Sequence, residues 1–188
     1  AAAYNAAAMA LTDGVEVVFK NDSEVLLTPR VLETAARLGS NHLAIFRCTT
    51  TREGTQYPAR LTPENLVELL ARPPQAQDMP GWGIHAFPRP WFEQIGGYDL
   101  AYQDWGYEDS DLRLRAGWSI GAIDVTSCLL VHQWHPRTAP SPQSDRNRQY
   151  YEATKQQRQI VRNEGRLCWR TDKPDRPSDN IRVVQQPR

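Results

Sequence analysis

Trp105-Gly-Tyr-Glu-Asp-Ser-Asp-Leu112 sets three carboxylates, Glu108, Asp109 and Asp111, directly after a Trp-Gly turn. Glycine lets a backbone bend closely around a ligand. Carboxylates at a helix start are stabilised by the free N–H groups and the positive end of the dipole there. Leu112, Leu114 and Ala116, with Gly117 as a stop, predict a short helix whose N-terminus presents those acids. A carboxylate so placed can serve as a general base. Ordinary pairing is open to the same acids, because Arg113 and Arg115 lie four residues after Asp109 and Asp111.

Outward from this helix, strands and helices alternate. Residues 2–11 read as a helix ended by Thr12-Asp-Gly14, and Val15 to Phe19 as a buried strand. Thr28-Pro29 is a cap with proline at the first helical position, and Gly39 closes that helix. His42 to Arg47 is a second strand, Thr49 to Arg60 a polar loop, and Thr62-Pro63 opens a helix that ends before Pro73-Pro74. Gly81 to Phe87 follows as a strand, Pro90 to Ile95 as a short helix stopped by Gly96-Gly97, and Ser119 to Val131 as an apolar β-rich run. Arg146 to Asn163 is a charged helix, and the last twenty or so residues are rich in Pro, Asp and Arg. This order predicts an α/β layered domain over 1–136 and a helical and extended tail over 137–188, expected to wrap on a surface or bind a partner subunit.

Composition narrows the function classes. Lys+Arg and Asp+Glu are 22 each, a zero balance that argues against broad nucleic-acid or anionic-membrane binding. Cys48, Cys128 and Cys168 are far apart and odd in number, as expected of reduced thiols in a cytoplasmic protein. No apolar run approaches membrane-spanning length. The opening Ala1 to Ala10 reads as the middle of a packed helix, which suggests a piece or shortened form of a larger fold.

Three further groups carry chemistry. Asp22 and Glu24, one residue apart at a strand end, can bind a hard divalent cation, or form a plain acidic turn. His132 ends an apolar strand, where an imidazole can ligate a metal or be structural; His135 before Pro136 is expected beside the site or on the surface. Trp82, Gly83 and Trp105, among other aromatics and glycines, suit stacking on sugar rings or simple core packing.

The order of these groups resembles the GT-A glycosyltransferases, in particular family-2-like enzymes and the C-terminal halves of chondroitin polymerase and β-galactosyltransferases. Tyr4-Asn5 in the alanine helix looks like the family's "A-R-N" helix, and Val17 to Glu24 like its "V-F-L-D-A-D" segment in a D-x-E form. Gly96-Gly-Tyr-Asp99 fits "I-G-G-F-D", and Trp105 to Leu112 matches "W-G-x-E-D-x-D-L". The resemblance covers residues 1 to about 136. It implies a GT-A-like sandwich with a mixed central sheet, lacking the N-terminal nucleotide-binding strands, plus a helical C-terminal extension. By it, Asp22, Glu24 and His132 hold Mn²⁺ or Mg²⁺ against a nucleotide-sugar donor, and Asp109 is the base. Glu108, with Trp82, Gly83, Trp105 and Gly106, binds a carbohydrate or other hydroxyl acceptor. The implied reaction is an inverting sugar transfer. A non-catalytic carbohydrate-binding or assembly module is the alternative, and a metal-dependent hydrolase using the same carboxylates is a third.

Overall fold

The computed structural model describes residues 1–57, 62, 64, 65, 68, 83–126, 130–136 and 142–163. Among the described residues, helices α1 (Ala2–Met9), α2 (Pro29–Gly39), α3 (Arg89–Gln94), α4 (Glu108–Gly117) and α5 (Pro142–Thr154) accompany seven strands. These are β1 (Val17–Lys20), β2 (Val25–Leu26), β3 (Leu43–Phe46), β4 (Thr49–Thr50), β5 (His85–Pro88), β6 (Ala122–Val125) and β7 (Val131–His132). A four-stranded sheet runs β1-β5-β3-β6 and a smaller one β2-β7-β4. Both are mixed: β3 pairs with β6 and β4 with β7 in parallel, and the remaining neighbours are antiparallel.

Side-chain alternation along the strands builds two cores, one on each face of the larger sheet. Ala44 and Phe46 of β3 face α2, where Val31 and Ala35 recur at helical spacing. Leu43 and Ile45 face the other way, against Phe87, Trp91, Phe92, Leu112 and Ala116. All four residues of β3 are buried, as a strand covered on both faces requires. β1 alternates in the same sense: Val17 and Phe19 pack on the α2 side, Val18 on the α4 side. Lys20, two residues beyond Val18, therefore points toward α4.

The chain leaves β1 for β2 through a tight turn closed by Val25 N–H donating to the Asp22 carbonyl at 3.1 Å. It leaves β3 for β4 through Arg47 and Cys48. A seam between the two sheets results, and the acidic and imidazole groups collect along it.

Several expectations need correction. The polar run after Thr49 begins as strand, since Thr49 and Thr50 are β-branched and Thr49 N–H bonds the Leu130 carbonyl at 2.9 Å. Ser119 to Val131 is not one strand: β6 joins the larger sheet and β7 the smaller one. The charged helix stops at Thr154, because Arg158 takes φ 50° and the chain turns back to place Arg162 and Asn163 against the body. Thr28 sits at the N-cap of α2 with extended backbone, but its side chain makes no capping bond. Pro74 to Gly81, Trp82, Cys128, Cys168 and the tail beyond Asn163 lie outside the described residues. Among the described residues, no helix is long and apolar enough to cross a membrane.

Candidate functional site

Asp109 enters the site because Tyr107, at φ 72°, turns the chain sharply into α4. From the first turn of that helix its carboxylate reaches back to β1, where the Lys20 ammonium lies 3.4 and 3.5 Å from the two oxygens. The same ammonium lies 3.4 Å from Asp22 Oδ1 and over the Tyr4 ring at 4.5 Å. Tyr4 O–H also donates to Asp22 at 3.4 Å. One buried cation thus joins the acid at the end of the first strand to the acid at the start of α4. His85, fully buried on β5, places Nδ1 3.6 Å from Asp109 Oδ1 and 3.4 Å from the Tyr98 hydroxyl. Asn5 fixes Tyr98 in turn, donating to its carbonyl at 2.9 Å and accepting from its N–H at 2.8 Å.

These surroundings decide the protonation states. Burial raises Asp109, Lys20 pulls it back, and Glu108 and Asp22 push it up, so it reaches about 7. Burial works to lower Lys20, but the carboxylates of Asp109 and Asp22 outweigh it and leave the ammonium above its usual range. Burial, helped by the Lys20 and Arg113 charges, holds His85 well below an ordinary imidazole, so it is neutral. Burial and Asp109 hold Tyr98 well above an ordinary phenol. Asp109 therefore exchanges a proton near neutrality, whereas Lys20 stays charged and His85 and Tyr98 stay neutral.

The second group stands on the smaller sheet. β2 and β7 pair Val25 with His132, and Gln133 N–H bonds the Glu24 carbonyl at 2.9 Å. This brings Glu24 Oε1 to 3.6 Å from His132 Nε2 and 3.6 Å from His135 Nε2. Among the described residues, one ligand atom from each of Glu24, His132 and His135 falls within 4.8 Å of the others. Asp22 does not join them. Both acids stand in the turn that carries the chain from β1 to β2, Asp22 at its start beside Lys20 and Glu24 near its end beside the histidines. His135, expected beside the site, supplies a third donor atom. Both acids nevertheless remain near Cys48 just past β3: burial and the charges of Asp22 and Glu24 push its thiol up to about 11.

Of the remaining predicted residues, Gly83, Trp105 and Gly106 are among those described. A Cβ on Gly83 would meet the Asp22 carboxylate, and would sit 3.2 Å from Lys20 Nζ, so only glycine lets this backbone approach so closely. Trp105 is 70% exposed and Gly106 takes φ 107°, at the turn just before Glu108. A cavity of about 240 Å³ between α1 and β1 is lined by Tyr4, Ala8, Leu11, Val18, Lys20 and Tyr98. Of the possible helix pairs, Arg115 takes Asp111 at 2.7 Å, whereas Arg113 reaches Asp124 at 3.0 Å.

Residues 67–129 match the family model described as the N-terminal domain of galactosyltransferase. This supports a glycosyltransferase family and points to glycosyl transfer, and the mixed α/β architecture is compatible with such a fold. The matched stretch includes β5, α3, α4 and β6, and with them Gly83, Trp105, Glu108 and Asp109. Asp22, Glu24, His132 and His135 lie outside it. No curated protein matches the chain.

Sequence reasoning missed Lys20, His85 and Tyr98 as site residues. Lys20 carried a signal, a single lysine closing an apolar strand just before two acids. His85 carried a weaker one, alternating with Phe87 on the face that α3 and α4 cover.

Proposed function

We propose that this protein transfers a sugar from a nucleotide-sugar donor to a hydroxyl acceptor, with Asp109 as the general base. The observation that carries the reading is the Asp109 carboxylate, 17% exposed at the head of α4, balanced between burial and Lys20 so that it titrates at about 7. A base is most useful when its pKa lies near the working pH. Asp109 takes the proton from the acceptor hydroxyl as that oxygen attacks the anomeric carbon. A single displacement from the face opposite the departing nucleoside diphosphate inverts the anomeric configuration. Glu108, adjacent on the same helix start, holds the acceptor by hydrogen bonding, and the exposed Trp105 indole offers a face to its ring.

Two imidazoles and one carboxylate form a donor set that fits Mn²⁺. Glu24, His132 and His135 would hold that ion, which when bound neutralises charge on the diphosphate leaving group. Lys20 keeps Asp22 and Asp109 in register across the seam. Neutral His85 and the Tyr98 hydroxyl give Asp109 polar neighbours without a second titrating group. A purely carbohydrate-binding module is not favoured, because binding alone has no use for a carboxyl group held near neutrality.

The test is to incubate the protein with UDP-galactose, Mn²⁺ and a panel of saccharide acceptors and to follow glycoside by NMR. Transfer with an inverted anomeric centre supports the reading. Free galactose as the sole product would favour hydrolysis, and no consumption of donor would remove the enzymatic reading.

A further inference from the structure

Asn147 of α5 is 2% exposed, and most of its carboxamide bonds go to one loop. Its Nδ2 donates to the carbonyls of Gln103 at 2.8 Å, Gly106 at 3.0 Å and Trp105 at 3.2 Å. Its Oδ1 accepts from Gln103 N–H at 3.4 Å and from Gln143 Nε2 at 3.1 Å. Ser144, one turn earlier on the helix, donates to the Trp105 carbonyl at 3.3 Å. The loop needs such support. Asp104 at φ 56° and Tyr107 at φ 72° both adopt left-handed backbone, which persists only where the surroundings over-determine it. A large indole left 70% exposed at its tip, three residues before Glu108, gains nothing for the core.

We infer that Asn147 is a positioning residue: by fixing the carbonyls of residues 103, 105 and 106 it holds Trp105 as a rigid platform for a saccharide ring. This rests on the proposed acceptor role of the Trp105 side, and gives the helix that follows the α/β body a part in binding. A rigid aromatic face contributes large contact area at little entropic cost on binding, whereas a loose one must be ordered first.

Binding is read without donor or metal, so that failure of sugar transfer does not bear on it. Asn147→Asp keeps the shape but replaces the donor by a charged acceptor facing three carbonyl oxygens. Saturation-transfer NMR with glucose, galactose and N-acetylglucosamine is measured on the wild type, Asn147→Asp, Asn147→Ala and Arg148→Ala. Arg148 is exposed on the same helix and, among the described residues, pairs locally with Asp145, so its variant is the control. The expected result is binding of at least one saccharide by the wild type and Arg148→Ala, weakened at least tenfold in both Asn147 variants. Amide hydrogen exchange should rise at residues 103–107 in those variants while the amides of β3 stay protected. Equal binding by Asn147→Asp with exchange raised at the loop overturns the inference. So does the absence of saccharide binding by the wild type, or loss of β3 protection accompanying every loss of binding.

Discussion

At the scale of single residues, the balance on Asp109 bears on stability and, on the proposed reading, on rate. Asp109→Asn keeps the side-chain volume but cannot accept the acceptor proton, and transfer should fall roughly 10²–10⁴-fold. Unchanged turnover in that variant would remove Asp109 as the base. Transfer by the wild type should rise with pH through about 7, as the Asp109 carboxyl ionises. Lys20→Met removes the charge that opposes burial, so this acid limb should move to higher pH. An unmoved limb would show that another group titrates. Stability carries the opposite sign. Because the folded value lies above the ordinary 3.8, the native protein keeps a proton that the unfolded chain releases between about 4 and 7. The contribution of Asp109 to stability therefore declines as pH rises through that window. Thermal melts of Asp109→Asn across the window should show a flatter dependence than the wild type.

At the scale of elements, the turn from Asp22 to Val25 distributes the acids between two sheets. Glu24, His132 and His135 should bind Mn²⁺ more tightly than Mg²⁺, since imidazole suits transition ions and Mg²⁺ demands oxygen ligands. Titration calorimetry on His132→Ala and His135→Ala should show at least roughly tenfold weaker Mn²⁺ binding in each, a typical scale for damage to a metal site. Equal affinities would dissociate the ion from this trio. Gly83→Ala drives a Cβ into the Asp22 carboxylate and should cost roughly 10²-fold in transfer, the scale of a small misplacement at a reacting centre. What the sequence disclosed follows the same elements. α2 was legible to its last residue, because proline, amphipathic spacing and a terminal glycine are local signals. The acidic first turn after Gly106 and the glycine at 117 disclosed α4, again as local signals. The partner of each acid was not legible, because it depends on which sheet a two-residue strand joins, and β2, β4 and β7 are too short to carry a periodic pattern. Lys20, His85 and Asn147 act through contacts that span tens of residues, which no local spacing encodes.

At the scale of the whole molecule, a buried charge cluster ties the segment after α5 to α4. Arg115, wholly buried, pairs with Asp111, and Arg162 lies 3.3 Å from Asp111 and 3.2 Å from Asp99. The Asp99 carboxylate also accepts from the Tyr150 hydroxyl at 2.9 Å. Removing one partner leaves a buried charge uncompensated, which typically costs about 3–5 kcal/mol. Asp111→Ala strips the buried Arg115 of its carboxylate and should therefore lower the stability read from the urea midpoint by that order, and an unchanged midpoint would mean that water reaches Arg115. Asn163 completes the closure, donating to the Gly96 and Tyr98 carbonyls at 2.6 and 2.9 Å. On a ribosome, which delivers a chain from its N-terminus, Asp111 emerges 51 residues before Arg162 and Tyr98 emerges 65 residues before Asn163. A nascent chain that has advanced only through α4 holds Asp109 but not its final frame, so on the proposed reading competence arrives late, when residues 162 and 163 dock.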